Sequence, residues 1–174
     1  MADGILKVGQ ITNSAGSGNI TIGSGVTVNV NRPAFLASCS SGATIAATTW
    51  TKLNFTSESF DTNSAYDATN SKFTCPTDHA GKYVIGFNVR TDGATNQLRI
   101  IGGIKINDLF ALYTEVIDDN NSQATAMGLQ VSAVVELAVN DYVEAYCYQN
   151  SGGSLTQQAN IASQDPGGAV SYTH

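Results

Sequence analysis

Between Phe55 and Val89 the chain reads FTSESFDTNSAYDATNSKFTCPTDHAGKYVIGFNV, and this stretch leaves the backbone few options. Tyr83, Ile85, Phe87 and Val89 place an apolar residue at every second position. Successive strand side chains point to opposite faces, so these four share one face, and that face belongs in a core. Upstream, Phe73 is followed by Thr74, Cys75 and Pro76; proline cannot donate to a ladder, so a strand ends there. The stretch therefore predicts a strand from Phe55, a wide polar turn, a second strand, a short turn at Thr77–Gly81 and a third strand.

The same period recurs downstream. Leu98 and Ile100, then Ile104 and Ile106, flank Gly102-Gly103, which predicts a bulge or a close backbone approach. Phe110–Ile117 reads as another strand. Met127, Leu129, Val131, Ala133, Val135, Leu137 and Val139 form the longest alternating run, ended by a turn at Asn140-Asp141. Val143, Ala145 and Cys147 then face one way, while Tyr142, Glu144, Tyr146 and Tyr148 face the other. That second face suits either a protein–protein surface or a second buried layer. No stretch carries the helical period, so the chain is expected to be all-β.

Composition narrows the function classes. Only 13% of the 174 residues are charged, about half the usual share, and the abundant Thr, Ser, Asn and Gly suit polar strand faces and tight turns. The net charge is −6, the basic residues are scattered, and none follows Lys105. Phosphate recognition needs clustered cations, so no nucleic-acid partner is expected. No apolar run approaches a membrane span, so no membrane partner is expected. The opening MADGILKVGQ lacks a secretory h-region, which predicts a protein made in a cytoplasm rather than exported by that route. Cys39, Cys75 and Cys147 are too far apart for a metal motif and odd in number; they read as small buried thiols.

Little points to catalysis. His79 sits in a turn and His174 ends the chain, with no nucleophile motif beside either. The acids form no paired-carboxylate motif, so the chain is read as a non-enzyme without a cofactor. Asp118-Asp119-Asn120-Asn121-Ser122 reads as a solvated turn, with calcium binding as the competing reading of its oxygen ligands. Trp50, the sole tryptophan, reads as a core or interface anchor ahead of a sugar platform.

The spacing of Phe55, Asp61, Tyr66 and Phe73, followed by Gly81, Tyr83, Ile85 and Phe87, resembles the signature of the complement C1q globular-head family, which shares its jelly roll with tumour necrosis factor. Ile85 stands where that family usually has Phe, and the Phe73–Gly81 link is longer than usual. Arg32-Pro33-Ala34-Phe35 resembles the opening of the family's first strand, and Ala169-Val170-Ser171-Tyr172 stands where its last strand would be. The resemblance implies an antiparallel jelly-roll sandwich of roughly ten strands over residues 32–174, and a homotrimer. Trp50, Phe55, Tyr66, Phe73, Tyr83, Phe87, Tyr146 and Tyr148 are the candidates for trimer or core packing.

Residues 1–31 read as a separate arm. Ile20, Ile22, Val26, Val28 and Val30 fall on one face of a candidate strand, and an aliphatic face of that size needs a cover. The wording VGQITNSAGSGNITIGSGVTVNV resembles N-terminal segments of tailed-bacteriophage structural proteins, especially those of cyanophages. This resemblance implies a virion-surface protein made in the bacterial host cytoplasm. The expected role is a trimeric capsid decoration, or cement, protein. Ile11, Ile20, Ile22, Val26, Val28 and Val30 would grip the major capsid protein or another virion protein. The alternative is a tail-fibre or adhesin tip that recognises a host surface glycan or protein.

Overall fold

The computed structural model describes Ser24 and residues 32–92, 98–118, 126–159 and 170–173. The arm residues Ile11, Ile20, Ile22, Val26, Val28 and Val30, and the loop Asp119–Ser122 with its calcium question, lie outside the described residues. The described residues fall almost entirely in the compact unit Asn31–His174.

Alternation in the sequence becomes strand throughout. The strands, in chain order, are β1 (Phe35–Ser38), β2 (Thr44–Ile45), β3 (Thr51–Lys52), β4 (Ser57–Asp61), β5 (Tyr66–Asp67), β6 (Lys72–Thr74), β7 (Gly81–Arg90), β8 (Leu98–Ile106), β9 (Leu109–Asp118), β10 (Gly128–Leu137), β11 (Tyr142–Gln149), β12 (Leu155–Thr156) and β13 (Val170–Thr173). They exceed the expected ten because β2, β3, β5 and β12 are two-residue pieces. The first sheet runs β10-β7-β13-β1-β4 and the second β5-β6-β11-β8-β9, with β3 also paired to β11. Every pairing in both is antiparallel. A small pair, β12 with β2, stands apart. The fold is an all-β jelly-roll sandwich.

The aromatic stretch supplies its centre. Phe35 of β1 stacks on Tyr66 at 4.5 Å and on Phe73 at 5.2 Å between ring centroids. Tyr83, Ile85, Phe87 and Val89 are all buried, as their alternation requires. Two details differ from the expectation. Phe55 is buried but precedes its strand, which begins at Ser57. The wide polar turn is a change of sheet: β4 pairs with β1 in the first sheet, while β5 and β6 belong to the second. Tyr66 secures that crossing, because its hydroxyl donates to the Phe55 carbonyl at 2.8 Å.

The glycine pair does not interrupt its strand. β8 runs through Gly102 and Gly103, and the register shift falls opposite, between Ile104 and Lys105. Both glycines mark close approach. A Cβ on Gly102 would lie 2.3 Å from Leu129 and 2.6 Å from Val131 inside the sandwich; one on Gly103 would lie 2.6 Å from the Phe110 ring on its outer side. At the turn before β11, Asn140 has φ 70°, a left-handed geometry that asparagine tolerates better than most residues. The last strand is also an interior one: β13 lies between β1 and β7 in the first sheet.

Candidate functional site

With the inner faces consumed by the core, two outer surfaces remain. The first is aliphatic. On the outside of the first sheet, Val84 of β7 pairs directly with Val134 of β10, and Val134 is 70% exposed. Phe60 of the edge strand β4 is exposed too. At the edge of the second sheet, β9 carries Leu109 at 75% exposure, with Leu112 and Val116 partly exposed. The register sets Leu109 against Ile106 and Leu112 against the buried Ile104, so these side chains belong to the inner side of β9 at the open rim of the sandwich.

The second surface is aromatic and lies on the outside of the second sheet. Tyr146 of β11 pairs with Lys52 of β3 and with Gly103 of β8. Trp50, just before β3, stands over the same ground, with ring centroids 4.4 Å from Phe110 and 5.7 Å from Tyr148. Phe110 meets Tyr146 edge-on at 6.3 Å. Its presence here depends on the register shift in the β8–β9 hairpin. Gly103 opposes Tyr113, but Lys105 opposes Phe110 rather than Ala111. The extra residue turns Phe110 outward onto this face, as a bulge re-aims a side chain. Gly103 leaves the space beneath; a side chain there would collide with the Phe110 ring and press on Trp50.

Charges are woven between these rings. The Lys52 ammonium donates to Glu144 at 2.6 Å, and the Tyr146 hydroxyl donates to the other oxygen of Glu144 at 3.2 Å. Glu144 is itself buried, at 8% exposure. Lys105 sits over the rings of Tyr146 and Phe110, at 4.1 and 4.8 Å from their centroids, and makes no ion pair among the described residues. Burial, with Glu144 next to it, pushes the Tyr146 phenol up to about 12. The phenol therefore stays protonated and able to donate at physiological pH.

The sequence-predicted packing residues thus divide. Phe55, Tyr66, Phe73, Tyr83 and Phe87 lie in the core, while Trp50, Tyr146 and Tyr148 stand half-buried on the aromatic outer face. Phe110, Lys105 and the Lys52–Glu144 pair were not singled out as site residues. The Tyr/Glu alternation in β11 pointed to their face, but the bulge that recruits Phe110 left no signal. The cysteines are free and buried. His79 approaches Asn63 through its ring at 3.3 Å, and Cys75 meets its carbonyl oxygen rather than its imidazole. Among the described residues no group of three His, Cys, Asp or Glu side chains is placed to hold a metal ion.

No family model matches this chain. An uncharacterized protein, YqcC, of Bacillus subtilis strain 168 is 31% identical over 109 residues, which is 61% of this chain and 29% of that protein. The chain therefore spans less than a third of that relative's length. Among solved structures, the globular domain of zebrafish complement 1qA matches with a TM-score of 0.54 at 18% identity, covering 82% of this chain and 96% of that one. At that identity the likeness shows the fold: a C1q-like β-sandwich.

Proposed function

We propose that this chain is a bacteriophage virion structural protein, a homotrimeric capsid decoration protein whose jelly roll forms an outward knob and whose residues 1–31 bind the head shell. The observation that carries the self-association is the aliphatic surface. Val84 and Val134 form an exposed apolar pair on one sheet, and Leu109, Leu112 and Val116 form an apolar rim at β9. The two patches differ and lie on different parts of the domain. Laying the rim of one copy against the exposed pair of the next is a heterologous contact, which closes into a ring when the rotation allows. Covering each such side chain contributes roughly 1.5–3 kcal/mol. Three copies around one axis is what the resemblance to the complement-head family implies. The attachment role rests on the arm, through its aliphatic alternation and its likeness to phage structural proteins.

Light scattering checks the assembly, which should have three times the 18.1 kDa mass of the chain; a monomer at micromolar concentration overturns it. Deleting residues 1–31 should leave the trimer intact and abolish binding to purified heads. Counting copies on virions separates this reading from the second one, a tail-fibre or adhesin tip. The aromatic outer face of the second sheet favours that second reading, since a cement knob has no need of it. Decoration predicts hundreds of copies per particle, whereas a fibre tip predicts few copies and a change of host range on mutation.

A further inference from the structure

We infer that the aromatic face of the second sheet is a saccharide-binding platform, with Trp50, Phe110 and Tyr148 as the stacking surface and Lys105 as the flanking polar group. The inference does not rest on the capsid reading: the platform occupies the outer face of the second sheet, whereas Val84 and Val134 lie on the first sheet and Leu109, Leu112 and Val116 on the inner side of β9.

The choice of occupant follows from what surrounds the rings. An apolar protein segment laid across this face would strip water from Lys105 and from the Lys52–Glu144 pair, and it has nothing to offer those charges in return. A phosphate polymer would meet Glu144 in the middle of the patch and a net charge of −6 on the whole chain, the opposite of a counterion-releasing surface. A sugar ring satisfies both halves. Its axial C–H groups are weakly positive and lie well against the negative face of an aromatic ring. Its hydroxyls both donate and accept, so they replace the water lost from the Lys105 ammonium without unseating the buried Lys52–Glu144 pair.

Two features of the backbone fit this use. Gly103 opens the floor on which Trp50 and Phe110 converge, and the register shift in the β8–β9 hairpin turns Phe110 outward to meet them. Without that shift Phe110 would share the inner side of β9 with Leu112. Lys105, held over two rings with no carboxylate partner among the described residues, keeps its donors for a ligand.

Trp50 is the only tryptophan, so its emission reports on the platform directly. The full chain is titrated with maltotriose, chitotriose and trigalacturonic acid as neutral, amino-sugar and acidic probes. At least one should give a saturable change in Trp50 emission, with half-saturation on the order of 1 mM or below. Phe110→Ala and Tyr148→Ala should each weaken that binding about tenfold while the far-ultraviolet and thermal signatures of the fold persist. Lys105→Gln removes the charge while leaving Trp50, Phe110 and Tyr148 in place, and should weaken binding as well. Val134→Asp, aimed at the association surface, should leave the affinity per protomer unchanged, so failure of the trimer reading is distinguishable from failure of this one. Emission that responds to none of the three probes overturns the inference. So does binding undiminished in a folded Phe110→Ala, or a response to an unglycosylated polypeptide or to DNA in place of sugar.

Discussion

Gln157 is 1% exposed, and its amide serves three backbone groups. Its Oε1 accepts from the N–H of Ala43 at 3.2 Å and of Asn54 at 2.9 Å, and its Nε2 donates to the Asn54 carbonyl at 2.9 Å. One side chain therefore ties two stretches of the chain that belong to neither large sheet. Gln157→Leu fills the space but orphans all three groups, and should cost roughly 3 kcal/mol in urea unfolding. Thr91 is the control: its hydroxyl is buried and has no partner among the described residues, so Thr91→Val should fall within about 0.5 kcal/mol of wild type or stabilise. Neither role was legible in the sequence, because satisfaction of a buried amide depends on backbone groups about a hundred positions away. Cys147 was legible as a buried thiol, and it has a pH consequence. Burial pushes it from near 9 up to about 12. The folded state holds the neutral thiol, so its folded pKa lies above the unfolded value. Its contribution is whole below about 9 and is lost as pH rises toward 12. The urea midpoint should fall over that window, and more steeply in wild type than in Cys147→Ala.

At the scale of the element, the β8–β9 hairpin shows which kinds of information a sequence carries. Alternation placed Ile100 and Ile104 on the inner face of β8, and the structure buries both. It could not place Phe110, because one extra residue in β9 exchanges its faces beyond that point, and nothing in LFALYTEVI marks where the insertion falls. The turn joining the strands, Asn107-Asp108, has φ values of 49° and 67°. Both residues are left-handed, as a two-residue hairpin of the favoured twist requires. Tyr142 and Asp141 brace it from β11's end: Asn107 donates to Asp141 at 2.7 Å, and the Tyr142 hydroxyl donates to Asp108 at 2.7 Å. Gly102-Gly103 was recognised as a place of close approach, but only the packing shows that the two glycines serve opposite faces. Gly102→Ala drives a methyl group into Leu129 and Val131 of the facing strand. It should destabilise the fold by about 1–3 kcal/mol, measured by thermal unfolding, and that cost should be smaller when the same change is made in a Val131→Ala background.

For the whole molecule, the proposed trimer would make stability a question of concentration. The fold was legible because its core positions alternate and its aromatic spacing is specific. The proposed assembly was suggested only by resemblance, since Val84 and Val134 look like any other strand residues until their register makes them one patch. If three protomers unfold together, each tenfold rise in concentration adds two-thirds of RT ln 10, or about 0.9 kcal/mol per protomer, to the apparent stability. For a chain of this length that corresponds to a rise in Tm of about 2–4 °C per decade. Val134→Asp places a carboxylate at a site that is 70% exposed in the single chain, so the isolated fold should tolerate it. In the assembly the same carboxylate would be buried opposite Val84 without a partner, at a cost of several kcal/mol. Scanning calorimetry over two decades of concentration should therefore show a rising Tm for wild type and a flat one for Val134→Asp. A flat wild-type Tm, together with a single-chain mass, would mean that the two aliphatic patches serve some surface other than a second copy of this chain.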